Sequence, residues 1–227
     1  MRLLTVLLLV GIALPMYGGP IVDLGLFGTG VDGAGAVLPG GSSDTHWNLS
    51  IQGGGAAAAQ VTSDAAKPGL WIANDSLSKW ISFTGAGNPN AVETVGADWM
   101  YSYTQTFSLT NFYLNSNLAI SGQYAMDNYG AVYLNGNLVQ TLADTIPSVF
   151  TNFSALHSFS ITGPTNFVAG TNTLQFVVYN RNMGTTPNAT GLRLQIDSAK
   201  GELIPEPGTL VLLGGGLLAL GFYRRRR

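Results

Sequence analysis

Turn residues punctuate this chain so often that no long helix fits between them. From residue 20 to 203, Gly, Asn, Asp and Pro recur every few positions, and the stretches between them are short and alternate apolar with polar side chains. Period-two alternation buries one face of a strand, whereas a helix needs apolar positions three and four apart. No segment of this body reads as an amphipathic helix. The runs that read as strands are 47–52, 71–72, 80–83, 100–109, 117–126, 131–134, 138–142, 159–161, 173–179 and 191–196. Asn135-Gly136-Asn137 is the strongest hairpin signal, because such a turn needs residues that tolerate positive φ. Residues 173–179 (TLQFVVY) are the most apolar run and are expected at the centre of a sheet.

This pattern predicts an all-β domain, an antiparallel β-sandwich of jelly-roll type, over residues 20–203. The Gly-rich segment 28–41 and the run 53–59 (GGGAAAA) read as surface loops. No internal repeat and no second domain is visible.

The two ends differ from the body. Residues 1–19 read as a signal peptide: Arg2 is a short positive region, Leu3 to Leu14 is apolar, and Pro15 breaks the run before Tyr17-Gly18-Gly19. At the other end Thr209 to Tyr223 (TLVLLGGGLLALGFY) is apolar and Arg224, Arg225, Arg226 and Arg227 follow it. A helix over this run is about 22 Å long at 1.5 Å per residue. That is short of the roughly 20 residues a bilayer core needs, but snorkelling arginines extend its reach. The basic cluster would stay in the cytoplasm and leave the body outside.

Pro205-Glu206-Pro207, the apolar run and the arginine cluster stand in that order at the C-terminus. This combination resembles the PEP-CTERM sorting signal, with residues 204–227 as the sorting and anchor segment. The resemblance implies a transmembrane precursor, recognised by an exosortase and cut near Pro205-Glu206-Pro207. It also implies a Gram-negative host that makes extracellular polysaccharide, with the body passed to the cell surface, the biofilm matrix or the medium.

A second resemblance lies in the body. Asp127-Asn128-Tyr129-Gly130-Ala131-Val132-Tyr133-Leu134-Asn135-Gly136, then 167–174 (FVAGTNTL) and 188–193 (NATGLR), are similar to motifs of galactose-binding-like and other jelly-roll carbohydrate modules. The resemblance implies a sugar-binding sandwich, with polysaccharide as partner.

Charge and chemistry narrow the function. Between residues 20 and 203 there are five basic and eleven acidic residues, a net charge of −6. Such a body lacks a phosphate-tracking patch and is not expected to bind nucleic acid. The chain has no cysteine, which excludes disulfides, thiolate metal sites and a cysteine nucleophile. His46 and His157 read as packing or capping residues. Glycoside hydrolysis needs two acids about 5–9.5 Å apart, and Glu93, Glu202 and the scattered aspartates do not form an evident pair. No cofactor is called for. A cation held by Asp127, Asn128 and carbonyl oxygens is a minor alternative.

Aromatic residues are the best ligand signal, since sugar rings stack on their faces. Trp80, Trp99, Tyr101, Tyr103 and Tyr179 fit core positions. Trp71 with Asn74, and Tyr129 with Asp127 and Asn128, lie at turns and are the candidate ligand-binding set. Asn48, Asn74, Asn152 and Asn188 head Asn-x-Ser/Thr sequons that modification could use. The expectation is thus a non-catalytic exported protein that binds polysaccharide. The alternatives are a polysaccharide-active hydrolase or lyase, and a purely structural surface protein.

Overall fold

The computed structural model describes residues 19–52, 55–87, 97–146, 148–181 and 188–205, with isolated positions in the C-terminal run. The expected signal helix, Glu93 and most of the expected membrane helix lie outside the described residues, as do Glu206, Pro207, Arg226 and Arg227. Among the described residues no helix is long and apolar enough to cross a membrane.

The strands are β1 (Ile21–Asp23), β2 (Ser43–Ile51), β3 (Ala56–Val61), β4 (Ile81–Ser82), β5 (Trp99–Ser108), β6 (Ala119–Asp127), β7 (Tyr129–Leu134), β8 (Asn137–Leu142), β9 (His157–Thr162), β10 (Thr171–Asn180) and β11 (Gly191–Glu202). A short helix, α1 (Ser148–Ser154), joins them. All pairings are antiparallel, in the order β8-β7-β10-β5-β2-β3-β4-β11-β6-β9, with β1 added alongside β11. The result is an all-β sheet, nearly closed, with β8 and β9 as its edges.

The sheet wraps the main core. Phe176 on β10 meets Trp47 of β2, Tyr124 of β6 and Phe159 of β9, edge to face, at centroid distances of 5.9, 5.3 and 5.6 Å. This geometry suits the ring quadrupoles and ties opposite parts of the sheet together. The central position of β10 follows from its composition: Leu174, Phe176 and Val178 are fully buried, and the strand pairs on both sides, with β5 and β7. The hairpin between β7 and β8 forms where Asn-Gly places it. Asn135 has φ 52° and Gly136 φ 77°, the two positive values of a tight hairpin turn.

Several local expectations fail. Ala56–Val61, read as part of a loop, is β3, paired to β2 and β4. Alanine has little strand preference, but a slot between two strands sets the backbone, and Ala59 is fully buried there. Trp71 and Ile72 belong to no strand; they lie in the long connection between β3 and β4. Residues 148–154, for which the sequence predicts no strand or helix, form α1, which is too short to show a helical period. It buries Val149, Asn152 and Phe153. The segment 28–41 is not wholly superficial: Thr29 and Val31 are buried, and Val31 bridges Val37. β1 was not anticipated, and β11 runs six residues past the expected end, across a register shift between Ile196 and Ser198.

β11 also carries a buried cation. Arg193 is 1% exposed. Its Nε donates to Ser78 Oγ at 3.0 Å, and its guanidinium reaches Ala73 O and the Asp75 carboxylate. One side chain thereby clamps the loop 73–78 to the sheet. Partial burial pushes the Asp75 carboxyl up, but the amides of Leu77 and Ser78 and the Arg193 guanidinium outweigh it and hold the group below its ordinary value. A depressed folded value adds stability above the unfolded value, and that stability is lost as pH falls through the folded one. Asp75→Asn is therefore expected to cost about 1 kcal/mol at neutral pH. The gap from the wild type should close below pH about 4, the ordinary aspartate range, as read by denaturant titrations across pH.

A candidate ligand-binding cleft

Beneath the outer end of β6 and β11 lies a second, smaller core. Trp71 stacks on Trp80 with centroids 4.1 Å apart, and Ala125 and Phe153 complete the cluster. Trp71 is pinned by its neighbours: the Ile72 amide donates to Phe153 O at 2.8 Å, and Lys67 Nζ donates to Trp71 O at 2.9 Å. Gly191 makes room for the ring, since a Cβ there would stand 2.6 Å from its outer edge.

Above this cluster opens a cleft of about 380 Å³. Pro68, Leu70, Phe150 and Ala189 form much of its apolar wall, and Asp127, Asn128 and Asn188 supply its polar part. Two walls stand out in solvent: Leu70 is 74% and Phe150 42% exposed.

The polar part is held by a dense set of hydrogen bonds. Trp71 Nε1 donates to Asp127 Oδ2 at 2.8 Å, and Thr190 Oγ1 donates to Asp127 O at 2.8 Å. The Asn128 amide donates to Tyr179 O, Asn128 Oδ1 accepts from the Arg181 amide at 2.7 Å, and Asn128 O accepts from Asn152 Nδ2 at 2.8 Å. The peptide bond joining Asp127 and Asn128 is cis. Asn128 Nδ2 has no hydrogen-bond partner among the described residues. The cleft is thus lined by one fixed, largely buried carboxylate, one amide donor and apolar flanks, a combination of groups found in small-ligand sites.

The candidate set divides. Trp71, Asp127 and Asn128 meet in the cleft as a group. Trp71 is 3% exposed, so it supports the cleft and does not offer an open stacking face. Asn74 is structural and lies elsewhere: Nδ2 donates to Thr62 O at 2.9 Å and Oδ1 accepts the Trp80 amide at 2.8 Å. Tyr129 also sits apart, stacked on Tyr179 at 5.0 Å with its hydroxyl donating to Asp98 at 2.8 Å. Burial, followed by Asp98, pushes that hydroxyl's pKa up.

Sequence reasoning missed Phe150, the exposed aromatic of the cleft. Once α1 is known, the spacing of Val149, Asn152 and Phe153 turns Phe150 outward. Asp127 is the single acidic residue of the cleft among the described residues, and no cluster of three His, Asp or Glu there could hold a metal ion. Of the sequons, Asn152 is buried with Nδ2 bonded to Asn128 O and Ala143 O, whereas Asn48 faces solvent on β2.

His46 packs flat on Phe27 at 4.0 Å, and its Nδ1 lies 3.1 Å from Val31 O. Asp44 beside it is buried and accepts the amides of Gly30 and His46; burial pushes its carboxyl up despite those bonds.

Replacing Trp71 by Phe keeps the ring stack and deletes the bond to Asp127. The expected loss is about 1.5–3 kcal/mol, the range for a hydrogen bond to a charged group, read as a lowered denaturation midpoint with an unchanged slope.

Comparison with known proteins adds the following. The family model of the PEP-CTERM protein-sorting motif matches residues 203–227. No curated protein matches the chain. A β-glucosidase from Kluyveromyces marxianus in complex with glucose aligns over 61% of this chain at 13% identity and a TM-score of 0.31, and this chain spans only 17% of its length. A family 35 carbohydrate binding module from an environmental isolate aligns over 53% of this chain and 84% of its own, at 17% identity and a TM-score of 0.25. A GH31 α-xylosidase from Xanthomonas citri aligns over 81% of this chain and 18% of its own, at 10% identity and a TM-score of 0.26. At such scores no activity transfers to this chain. The sorting motif does bear on it: the chain carries a PEP-CTERM protein-sorting motif at its C-terminus and is an exported protein.

Proposed function

We propose that this is a non-catalytic protein of the cell surface or extracellular matrix, whose jelly-roll body binds polysaccharide through the cleft. Before processing, the apolar run Thr209 to Tyr223 inserts in the inner membrane with Arg224 to Arg227 on the cytoplasmic side. An exosortase then cuts near Pro205-Glu206-Pro207 and frees the body for the surface.

The observation that carries the binding role is the pairing of solvent-exposed Phe150 and Leu70 with Asp127 and Asn128 around one cleft. The apolar face of a pyranose packs on an aromatic ring, and its hydroxyls donate to a carboxylate and accept from an amide. The volume lies within the roughly 300–1,000 Å³ of small-ligand sites, which suits a short stretch of sugar rather than a long groove-bound chain. A lone carboxylate supports binding over hydrolysis, since the two-acid mechanism lacks its partner among the described lining residues. The cleft lies at the Gly191 end of β11 and the tail leaves from the Glu202 end. The strand's 12 residues separate them by roughly 35 Å, so the cleft lies well away from the point where the tail leaves the body.

Titration calorimetry of the mature protein against exopolysaccharide fragments from its own cells is expected to show saturable binding. Phe150→Ala should weaken it at least about fivefold, or roughly 1 kcal/mol, without moving the melting temperature. Absence of binding across those fragments and a glycan array would reject the polysaccharide role. For the tail, mass spectrometry of the mature C-terminus should find Arg224 to Arg227 gone in cells with the processing protease and retained without it. An intact end in both would leave a simple anchor.

A further inference from the structure

The chain leaves the body at a corner built from three backbone segments. Ile21 pairs with Glu202 in the β1–β11 ladder. The Leu203 amide donates to Pro20 O at 3.0 Å, the Ile204 amide to Asn111 O at 2.7 Å, and the Tyr113 amide to Glu202 O at 2.9 Å. Leu203 also bridges Phe112. A Cβ on Gly201 would stand 2.8 Å from Leu118 and from Phe112, so Gly201 and Leu203 point inward. Alternation then turns Glu202 and Ile204 to the other side, with Ile21 directly opposite Glu202.

Three large aliphatic side chains stand in solvent at this corner: Ile21 is 51%, Leu114 39% and Ile204 46% exposed. The carboxylate among them is already satisfied. Glu202 accepts from Asn115 Nδ2 at 2.7 Å and from Asn117 Nδ2 at 2.6 Å. Those two amides hold its pKa below the usual value.

Only Pro205 to Gly208 separate Ile204 from the apolar run. The five residue steps from Ile204 to Thr209 reach at most about 18 Å when fully extended. The headgroup region of one leaflet is about 5–8 Å thick. With Thr209 at the edge of the hydrocarbon, Ile204 stands at most about 10–13 Å beyond the lipid headgroups. We propose that Ile21, Leu114 and Ile204 form a membrane-seating face, which rests on the phospholipid surface while the precursor is anchored. This rests on the reading that the run 209–223 inserts. The partner is a lipid surface rather than a protein because the tether alone brings this face to the bilayer. Aliphatic side chains around a carboxylate already held by two asparagine amides fit its polar interfacial zone.

The natural absence of cysteine permits single fluorophore labels without background. Chains beginning at Pro20 and retaining the tail, carrying Ile21→Cys, Leu114→Cys, Leu70→Cys or Ala219→Cys and each labelled with an environment-sensitive dye, are placed in vesicles of phosphatidylcholine and phosphatidylglycerol. A lipid-borne quencher is then added. Labels at 21 and 114 are expected to lose at least about half their emission, and the label at 70, on the cleft, to stay unquenched. Quenching at 219 with none at 21 and 114 overturns the proposal and leaves tail insertion standing. No quenching at 219 overturns the insertion reading itself. Protection of 21 and 114 in native membranes but not in lipid vesicles would assign the face to a protein partner and likewise overturn the proposal.

Discussion

The ladder between β6 and β11 is the constraint on which the rest depends. β11 is the longest strand and meets β1, β4 and β6. Through β4 it joins the half of the sheet built on β10 to the half built on β6, and so closes the core around Phe176. The join is narrow: β4 has two residues, and its contact with β11 is the single pair Leu192 and Ile81. Arg193 next to that pair explains how so small a contact suffices. Its buried guanidinium ties the loop before β4 to β11, and a cation without water must keep those partners. Register, loop position and closure are therefore set together.

The all-β, antiparallel character was legible because it rests on period. Runs such as 100–109, 117–126 and 173–179 alternate strongly, and Asn135-Gly136 has a local geometric cause. What stayed hidden was set by neighbours. Ala56–Val61 has no strand character of its own and becomes one between β2 and β4. α1 spans two turns, so no helical period can emerge from it. β1 is three residues long and exists because β11 offers an unpaired edge.

The cleft was partly legible for the same reason. Asp127 and Asn128 stand at a strand end between apolar runs, where polar residues mark a turn, and Trp71 lies in a polar loop. That these meet, 56 residues apart between Trp71 and Asp127, depends on the β6–β11 register and the path of the loop before β4. Asn74 and Tyr129 looked equivalent in sequence, but a loop asparagine can serve its own backbone as readily as a ligand. Phe150 escaped notice because its exposure follows from a helix that the sequence pattern could not reveal.

The corner at Leu203 has a consequence for what the tail's removal does to the body. The last core contact, the bridge from Phe112 to Leu203, precedes Pro205, and Ile204 already hangs half in solvent. Among the described residues, every pairing of the sheet lies before Pro205. A cut near Pro205-Glu206-Pro207, as proposed, would therefore leave the pairings of β11 with β1 and β6 intact.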